Sequence, residues 1–300
     1  MRLITRADLD GLTCALLLKS VESIDEVLLA HPKDVQDGKV AIGPDDILAN
    51  LPHDPRAGKV FDHHASTTER WDAAKGATGG AFVADAPSAA RVVASHYPQA
   101  DFARFETLLH ETDRLDSANL TPDDVSNPQG WILVGYTLDP RTGMARYRDY
   151  FNHVLDLVTA HPDDPDAVLA DPQVAERVQI LNDQQWAFME HIIECSRIDG
   201  NVIVTDVRGV TDPPLGNRFF VYTLYPDANV SVRAADGAGG AFVSIQAGHS
   251  IFNRTCTTDI GALMATYGGG GHKGAGTAQP ATADADTVLE AIVETLKDNG

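Results

Sequence analysis

Apolar positions follow two rhythms along this chain, and the change between them divides it. In the first part, short apolar runs alternate with stretches whose apolar residues recur every three or four positions. Leu3 to Ala7, Glu26 to Ala30, Lys39 to Ile42, Asp45 to Leu51 and Lys59 to Phe61 read as strands. Leu12 to Val21, Ser88 to Tyr97, Phe102 to Thr112, Arg146 to Val158 and Val174 to Ile193 read as helices. His31 to Asp34 and the small-residue stretch Gly76 to Ala81 read as loops. Leu120 to Gln129 and Ala160 to Pro172 are Pro- and Asp-rich connections. Trp186, Met189, Ile192 and Ile193 have the spacing of a packed face. Short strands alternating with helices predict an α/β fold, a mostly parallel sheet flanked by helices.

Beyond Ser196 to Gly200 strands dominate. Asn201 to Thr205, Arg218 to Leu224, Asn229 to Ala234 and Ala241 to Ala247 read as strands, with helices at Ile260 to Tyr267 and Asp284 to Leu296. The pattern predicts domains over 1–195 and 196–300, the second a smaller α+β unit of ordinary domain size.

The polar residues that interrupt this pattern carry the candidate chemistry. Asp8 and Asp10 follow the first strand and precede Gly11. In extended geometry, residues two apart point the same way with Cα atoms about 7 Å apart. The carboxyl end of a strand is where open α/β sheets bind ligands. The competing reading is a helix N-cap, with either carboxylate satisfying free amides. Asp62, His63 and His64 leave the Lys59 to Phe61 strand. The adjacent imidazoles serve one site only if a turn follows, because neighbours in a strand face opposite ways. Asp113 falls at the predicted end of a helix, where the macrodipole disfavours a carboxylate, which hints at a cation beside it. A surface ion pair with Arg114 is the plainer alternative.

Gly268 to Gly271 run into His272 and Lys273. One glycine suffices to end a helix, whereas Gly269, Gly270 and Gly271 would let amides approach an anion with His272 and Lys273 as charged donors. Arg233, Asn253 and Arg254 add donors in the same domain, and an arginine can grip phosphate with two hydrogen bonds. The order of glycines is not that of an ATP-binding P-loop.

Composition narrows the partners. The formal net charge is −20, from 43 acids against 23 bases. Long nucleic acid bound through a basic face is thereby disfavoured, while a small anionic substrate remains open where bound cations set the local field. Three scattered cysteines without C-x-x-C spacing indicate a reducing compartment and no disulfide framework. No signal peptide or membrane-spanning run is evident, so the expectation is a cytoplasmic protein.

Asp8-Leu9-Asp10-Gly11, Asp62-His63-His64, Asp113 and the Gly-rich His272 loop, in this order over nearly the whole chain, resemble the DHH phosphoesterase superfamily with its DHH-associated C-terminal domain. Asp113 to Ala118 and Asp139 to Gly143 resemble its exopolyphosphatase-related branch. The resemblance implies a divalent-metal hydrolase, usually with manganese and alternatively magnesium, holding one or two ions. It implies Asp8 on one cation, Asp10, His63 and Asp113 on the other, Asp62 completing the cluster and His64 facing the scissile phosphate. His272 and its glycines would hold the far end of the substrate.

Two positions depart from that pattern. Ile4, Thr5 and Arg6 stand where many relatives have a histidine, and Asn50 stands where relatives carry a bridging Asp, with Asp46 or Asp54 as substitutes out of register. An amide binds a cation through one carbonyl, and Arg6 could supply part of the missing positive charge.

The leading expectation is a phosphoesterase acting on a small nucleotide or short oligonucleotide. The alternatives are an exopolyphosphatase and a catalytically impaired nucleotide-binding or sensor protein. A homodimer is left open.

Overall fold

The computed structural model describes residues 1–64, 68–73, 79–84, 86–138 and 148–299. By contacts the chain divides into Met1–Asn119 with Asn127–Ile180, and Leu120–Ser126 with Leu181–Gly300.

The first unit begins β1 (Arg2–Thr5), α1 (Leu9–Val21), β2 (Glu26–Leu29), α2 (Pro32–Gln36), β3 (Asp46–Ala49), β4 (Lys59–Asp62), α3 (Thr68–Ala73), β5 (Gly79–Phe82), α4 (Ala89–His96) and α5 (Glu106–Asp116). α6 (Pro122–Ser126) belongs to the second unit. α7 (Gly130–Leu138), α8 (Arg148–Ala160), α9 (Pro165–Leu169) and the first turns of α10 (Pro172–Cys195) return to the first.

The sheet order is β2-β1-β3-β4-β5, and every pairing is parallel. The strands read as continuous apolar runs because both faces are covered. Leu3, Ile47 and Phe61 point into a core with α1, α4, α5, α7 and α8. Their neighbours Ile4, Leu48 and Val60 point to the other face, with Val35, Leu51 and Ala57. The chain leaves β1 for β2 on one side and returns to β3 on the other. That reversal is a topological switch point, and it opens a crevice at the carboxyl ends of β1 and β3.

The structure departs from several sequence expectations. Lys39 to Ile42 is not a strand; Arg2 bonds to the Ala41 carbonyl at 2.7 Å and to Asp46, so a side chain ties this segment down. His31 caps the short helix α2 where a loop was expected. Gly79–Phe82 is strand β5, not loop, and residues 76–78 lie outside the described residues. A Cβ at Gly80 would stand 2.1 Å from the Val60 carbonyl oxygen, so this strand needs the small residue that made it look like a loop. A 3-10 turn at Ala103–Phe105 precedes α5, which runs on to Asp116. The stretches 139–143 and 146–147 lie outside the described residues.

The second unit continues with β6 (Ser196–Asp199), β7 (Val202–Asp206), α11 (Phe220–Leu224), β8 (Val230–Asp236), β9 (Val243–His249), α12 (Ile260–Ala265), β10 (Gly270–His272), β11 (Ala275–Ala278) and α13 (Ala285–Asn299). Its sheet order is β10-β11-β9-β8-β7-β6, antiparallel except for β7 with β8. Val204, Val232 and Ile245 pack beneath α12 and α13 with Ile260, Met264 and Ile292.

Arg218 to Leu224 is helical where its aromatic and branched residues suggested a strand. Asn217 caps the turn through its side chain to Phe219 N, and the Tyr222 hydroxyl lies 2.8 Å from Ser231 Oγ and 3.2 Å from the Gly248 carbonyl. Docking on the sheet thus overrides propensity. Of the residues expected to pack along α10, Ile192 is buried but Trp186 and Ile193 are exposed.

Candidate metal centre

Three strand ends deliver the polar residues of the first unit. After β1 the chain turns at once into α1. Asp8 is the helix N-cap, in extended conformation, and its Oδ1 accepts from Gly11 N at 2.9 Å. Asp10 sits in the first helical turn, so the two carboxylates are not arrayed along a strand as expected. Asp8 Oδ1 also accepts from Asn50 Nδ2 at 2.9 Å, and Arg6 Nε stands 3.2 Å from Asp8 Oδ2. Asn50 follows β3 with φ +56, a left-handed conformation that asparagine tolerates better than most residues. Asp46 and Asp54 are engaged by Arg2 and Arg56, so neither substitutes at this place.

β4 ends at Asp62, and the chain then turns, bringing the His63 and His64 rings to 4.5 Å between centroids. His63 Nδ1 meets the Ala86 carbonyl at 2.9 Å, which directs Nε2 inward. His64 Nδ1 lies 2.6 Å from Asp62 Oδ1.

Asp10 is gripped from outside. Its Oδ2 and Oδ1 accept from Ala89 N at 3.0 Å and Ala90 N at 2.8 Å, the first amides of α4. His63 Nε2 lies 4.0 Å from Asp10 Oδ2 and 3.1 Å from Asp116 Oδ2. One ligand atom each from Asp10, His63 and Asp116 fall within 4.8 Å of one another, a set able to hold a divalent ion.

Asp113 does not join this set. Ser88 Oγ donates to its Oδ1 at 2.6 Å, while Arg91 Nε and Nη2 donate to its Oδ2 at 2.8 and 2.5 Å. The cation suspected beside Asp113 is therefore Arg91, and Arg114 pairs with Glu111 instead. Asp113 anchors α4, whose amides hold Asp10, while Asp116 one turn further along α5 reaches the cluster. The Asp-x-x-Asp spacing, which places both acids on one helix side, was the available signal for Asp116. Nothing in the sequence marked Ala86, Ala89 or Ala90, which act through their backbone.

The electrostatics are those of a site short of positive charge. Burial, then the Asp116 charge, pushes Asp10 up to about 7, with Asp8 adding to the rise against His63 and the Ala90 amide. Burial opposes the charged His63 ring, yet the Asp116 hydrogen bond and charge, with Asp10 and Ala86, raise it to about 10. The Cys14 thiol is driven well upward by burial and by the charges of Asp10, Asp8, Asp116 and Asp62. Asn50 Oδ1 and Asp62 Oδ2 are buried without a hydrogen-bond partner among the described residues. Unpaired buried oxygens beside crowded carboxylates fit a hard or borderline divalent cation.

In the second unit, the strand register aligns Ser196, Thr205, Arg233, Gln246, Thr277 and Gly270 in one row across the sheet. Two residues along, Ser231, Gly248, Ala275 and His272 form the neighbouring row. Side chains two apart share a face, so Arg233 and His272 stand on the same one. Burial pulls the Arg233 pKa down, and among the described residues no carboxylate pairs with it. Arg254 Nε donates to the Ile251 carbonyl at 3.0 Å, and Asn253 Nδ2 to the Asp227 carbonyl at 2.9 Å, so both shape their loop.

The glycine run is a hairpin rather than an open loop. A Cβ at Gly269 would stand 2.0 Å from the Thr277 carbonyl oxygen, and one at Gly271 2.2 Å from that of Ala275. Gly270 meets nothing within 4 Å. The Lys273 carbonyl accepts from Ile260 N at 3.0 Å, fixing the hairpin to the start of α12.

An open parallel sheet whose switch-point crevice gathers acids and imidazoles defines a metal-dependent hydrolase of the phosphoesterase class. The chain is similar to the pGpG-specific phosphodiesterase PggH from Vibrio cholerae, with 38% identity, 100% of this chain and 99% of that one covered, and a TM-score of 0.79. It belongs to the DHH superfamily of phosphoesterases. An exopolyphosphatase-related protein from Bacteroides fragilis shares the fold at 10% identity, covering 99% and 92% of the two chains with a TM-score of 0.55. Thermus thermophilus RecJ in complex with Mg2+ matches at 12% identity and TM-score 0.50, over 100% of this chain and 50% of that one. No family model and no curated protein matches the chain. Among the described residues no helix is long and apolar enough to cross a membrane.

Proposed function

We propose that this chain hydrolyses the phosphodiester bond of a short linear oligonucleotide of the pGpG type, with Mn2+ as its preferred cation and Mg2+ as an alternative. The observation that carries the substrate reading is the end-to-end similarity to a pGpG-specific phosphodiesterase at 38% identity. The net charge of −20 supports a short substrate over long nucleic acid.

Asp10, His63 and Asp116 are the proposed ligands of one tightly held ion. Asp8, Asp62 and the Asn50 carbonyl would be further donors, and a second ion on Asp8 would compete with Asn50 and Arg6 for its carboxylate. A divalent cation supplies charge that stabilises the phosphoryl oxygens and makes water a better nucleophile at neutral pH. Asp62 Oδ1 lies 2.6 Å from His64 Nδ1 and orients the ring, and His64 is the proposed proton donor to the leaving oxygen. Arg233 and His272, on one face of the second sheet, are proposed as phosphate donors within that unit. Of the remaining expected donors, Lys273 adjoins His272 and Gly270 lies two positions before it, whereas Gly269 and Gly271 are required by close backbone approach in the hairpin.

The test is a panel of pGpG, longer oligonucleotides, polyphosphate and pyrophosphate, each incubated with purified protein and Mn2+. Conversion of pGpG to mononucleotide, with longer chains cut at least tenfold more slowly, is the expected result. Phosphate release from polyphosphate alone would make the chain an exopolyphosphatase. Thermal stabilisation by pGpG without turnover would make it a binding protein.

A further inference from the structure

β6 is the end strand of its sheet, and among the described residues no strand pairs with its outer edge. Gly200 and Asn201 form the two-residue turn that joins β6 to β7, with Gly200 at φ +63. Such a turn makes Asp199 and Val202 a hydrogen-bonded pair, and alternation makes Arg197 and Val204 the next. Ser196 and Thr205 then face each other in the close, non-hydrogen-bonded manner, as their side-chain oxygens 2.8 Å apart confirm. The backbone N–H and C=O of Ile198 and the C=O of Ser196, whose N–H closes the last turn of α10, consequently point outward from the end of the sheet.

Exposed apolar side chains lie close by in sequence. Of the large hydrophobics exposed among the described residues, Trp186 (68%), Ile193 (51%) and Ile198 (48%) fall within thirteen consecutive positions at the end of α10 and in β6. Trp186 and Ile193 are two turns apart on one side of the helix. Natural edges are usually guarded by charges of one sign, a proline or a bulge. β6 instead alternates, with Arg197 and Asp199 flanking Ile198.

We propose that β6 pairs antiparallel with β6 of a second copy of this chain, about a two-fold axis at Ile198. In that register the outward N–H and C=O of Ile198 bond to those of its counterpart. Arg197 lies opposite Asp199 of the other copy, twice over, in the close pairs where cross-strand charges interact most. The C=O of Ser196 and the N–H of Gly200 supply the next backbone bonds. The two six-stranded sheets become one continuous sheet, and the apolar side chains at the end of α10 lose water on assembly. Such an interface is isologous and closes at two copies. The alternating charges favour this partner over an unrelated peptide, which has no reason to present acid and base in the reverse order.

Sedimentation of the full-length chain at micromolar concentration tests the proposal, with twice the chain mass expected. Ile198→Pro deletes an N–H that the hairpin itself does not use, so the variant should become a monomer with unchanged melting temperature. Arg197→Glu should likewise dissociate the pair by setting acid against acid. Adding Asp199→Arg to that variant reverses both charges and should restore the dimer. A monomeric wild type, a dimer indifferent to both single changes, or failure of the double exchange to re-form it would each overturn the assignment, the last two locating assembly elsewhere or on a different partner.

Discussion

The two sheets of this molecule handle charge in opposite ways. At the carboxyl ends of β1, β3 and β4, acids crowd together with Arg6 as the nearby fixed cation, and buried oxygens go unpartnered. In the second unit several acids are paired with bases. Arg208 bonds both Asp206 and Asp286, while Asp199 meets Arg197 and Lys297. There Arg233 is a half-buried cation that no carboxylate pairs with among the described residues. The first sheet thus crowds acids at its strand ends, while the second carries an arginine with no paired carboxylate among the described residues.

The largest test of this contrast is Asp10→Asn. Loss of an outer-sphere partner typically costs ten- to a hundredfold in metal affinity or activity, so loss of a ligand should cost at least about a hundredfold in both. Calorimetric metal titration and turnover of pGpG measure it. Asp113→Asn should fall within that ten- to hundredfold band, since it loosens Arg91, Ser88 and the α4 amides around Asp10 while leaving the ligands in place. Arg233→Gln removes a charged donor from the other sheet and should raise KM about tenfold with kcat and metal affinity little changed. If it abolished metal binding, the division of labour between the sheets would be wrong.

Acidity separates the units further. Asp10, raised to about 7 above an ordinary carboxylate value, binds its proton more readily folded than unfolded. Its contribution to the stability of the metal-free first unit is present at low pH and lost as pH rises from about 4 to about 7. Asp206 is held low, chiefly by its hydrogen bond from Arg208, so its contribution is present above the ordinary carboxylate pKa and lost only as pH falls below about 4. Hydrogen exchange on chelator-treated protein should show greater protection around Asp10 at pH 5 than at pH 7, with no such gain around Asp206. The smallest effect concerns the hairpin: Gly269→Ala should lower the melting temperature by several degrees, whereas Gly270→Ala, in open space, should leave it within a degree.

Much of this was legible in the sequence. The parallel sheet followed from apolar runs at β1, β3 and β4, and the strand-end positions of Asp8, Asp10, Asn50, Asp62 and His63 followed with it. What escaped notice depended on tertiary context. β5 hid behind glycines that its neighbour requires. α11 carries strand-forming residues but docks as a helix. Trp186 and Ile193 have the periodicity of a core face, yet periodicity shows only that residues share a side, not that anything covers it. Asp113 and Asp116 are nearly equivalent by spacing, and Arg91, distant in sequence, engages Asp113 while Asp116 reaches His63.

Anomalous scattering from Mn2+ in crystals of the protein tests the central claim most directly. A peak bounded by carboxylate oxygens of Asp10 and Asp116 and by His63 Nε2, with Asp113 still on Arg91, is the predicted result. A peak coordinated by Asp113 in place of Asp116, or no peak at the ends of these strands at saturating Mn2+, would contradict it.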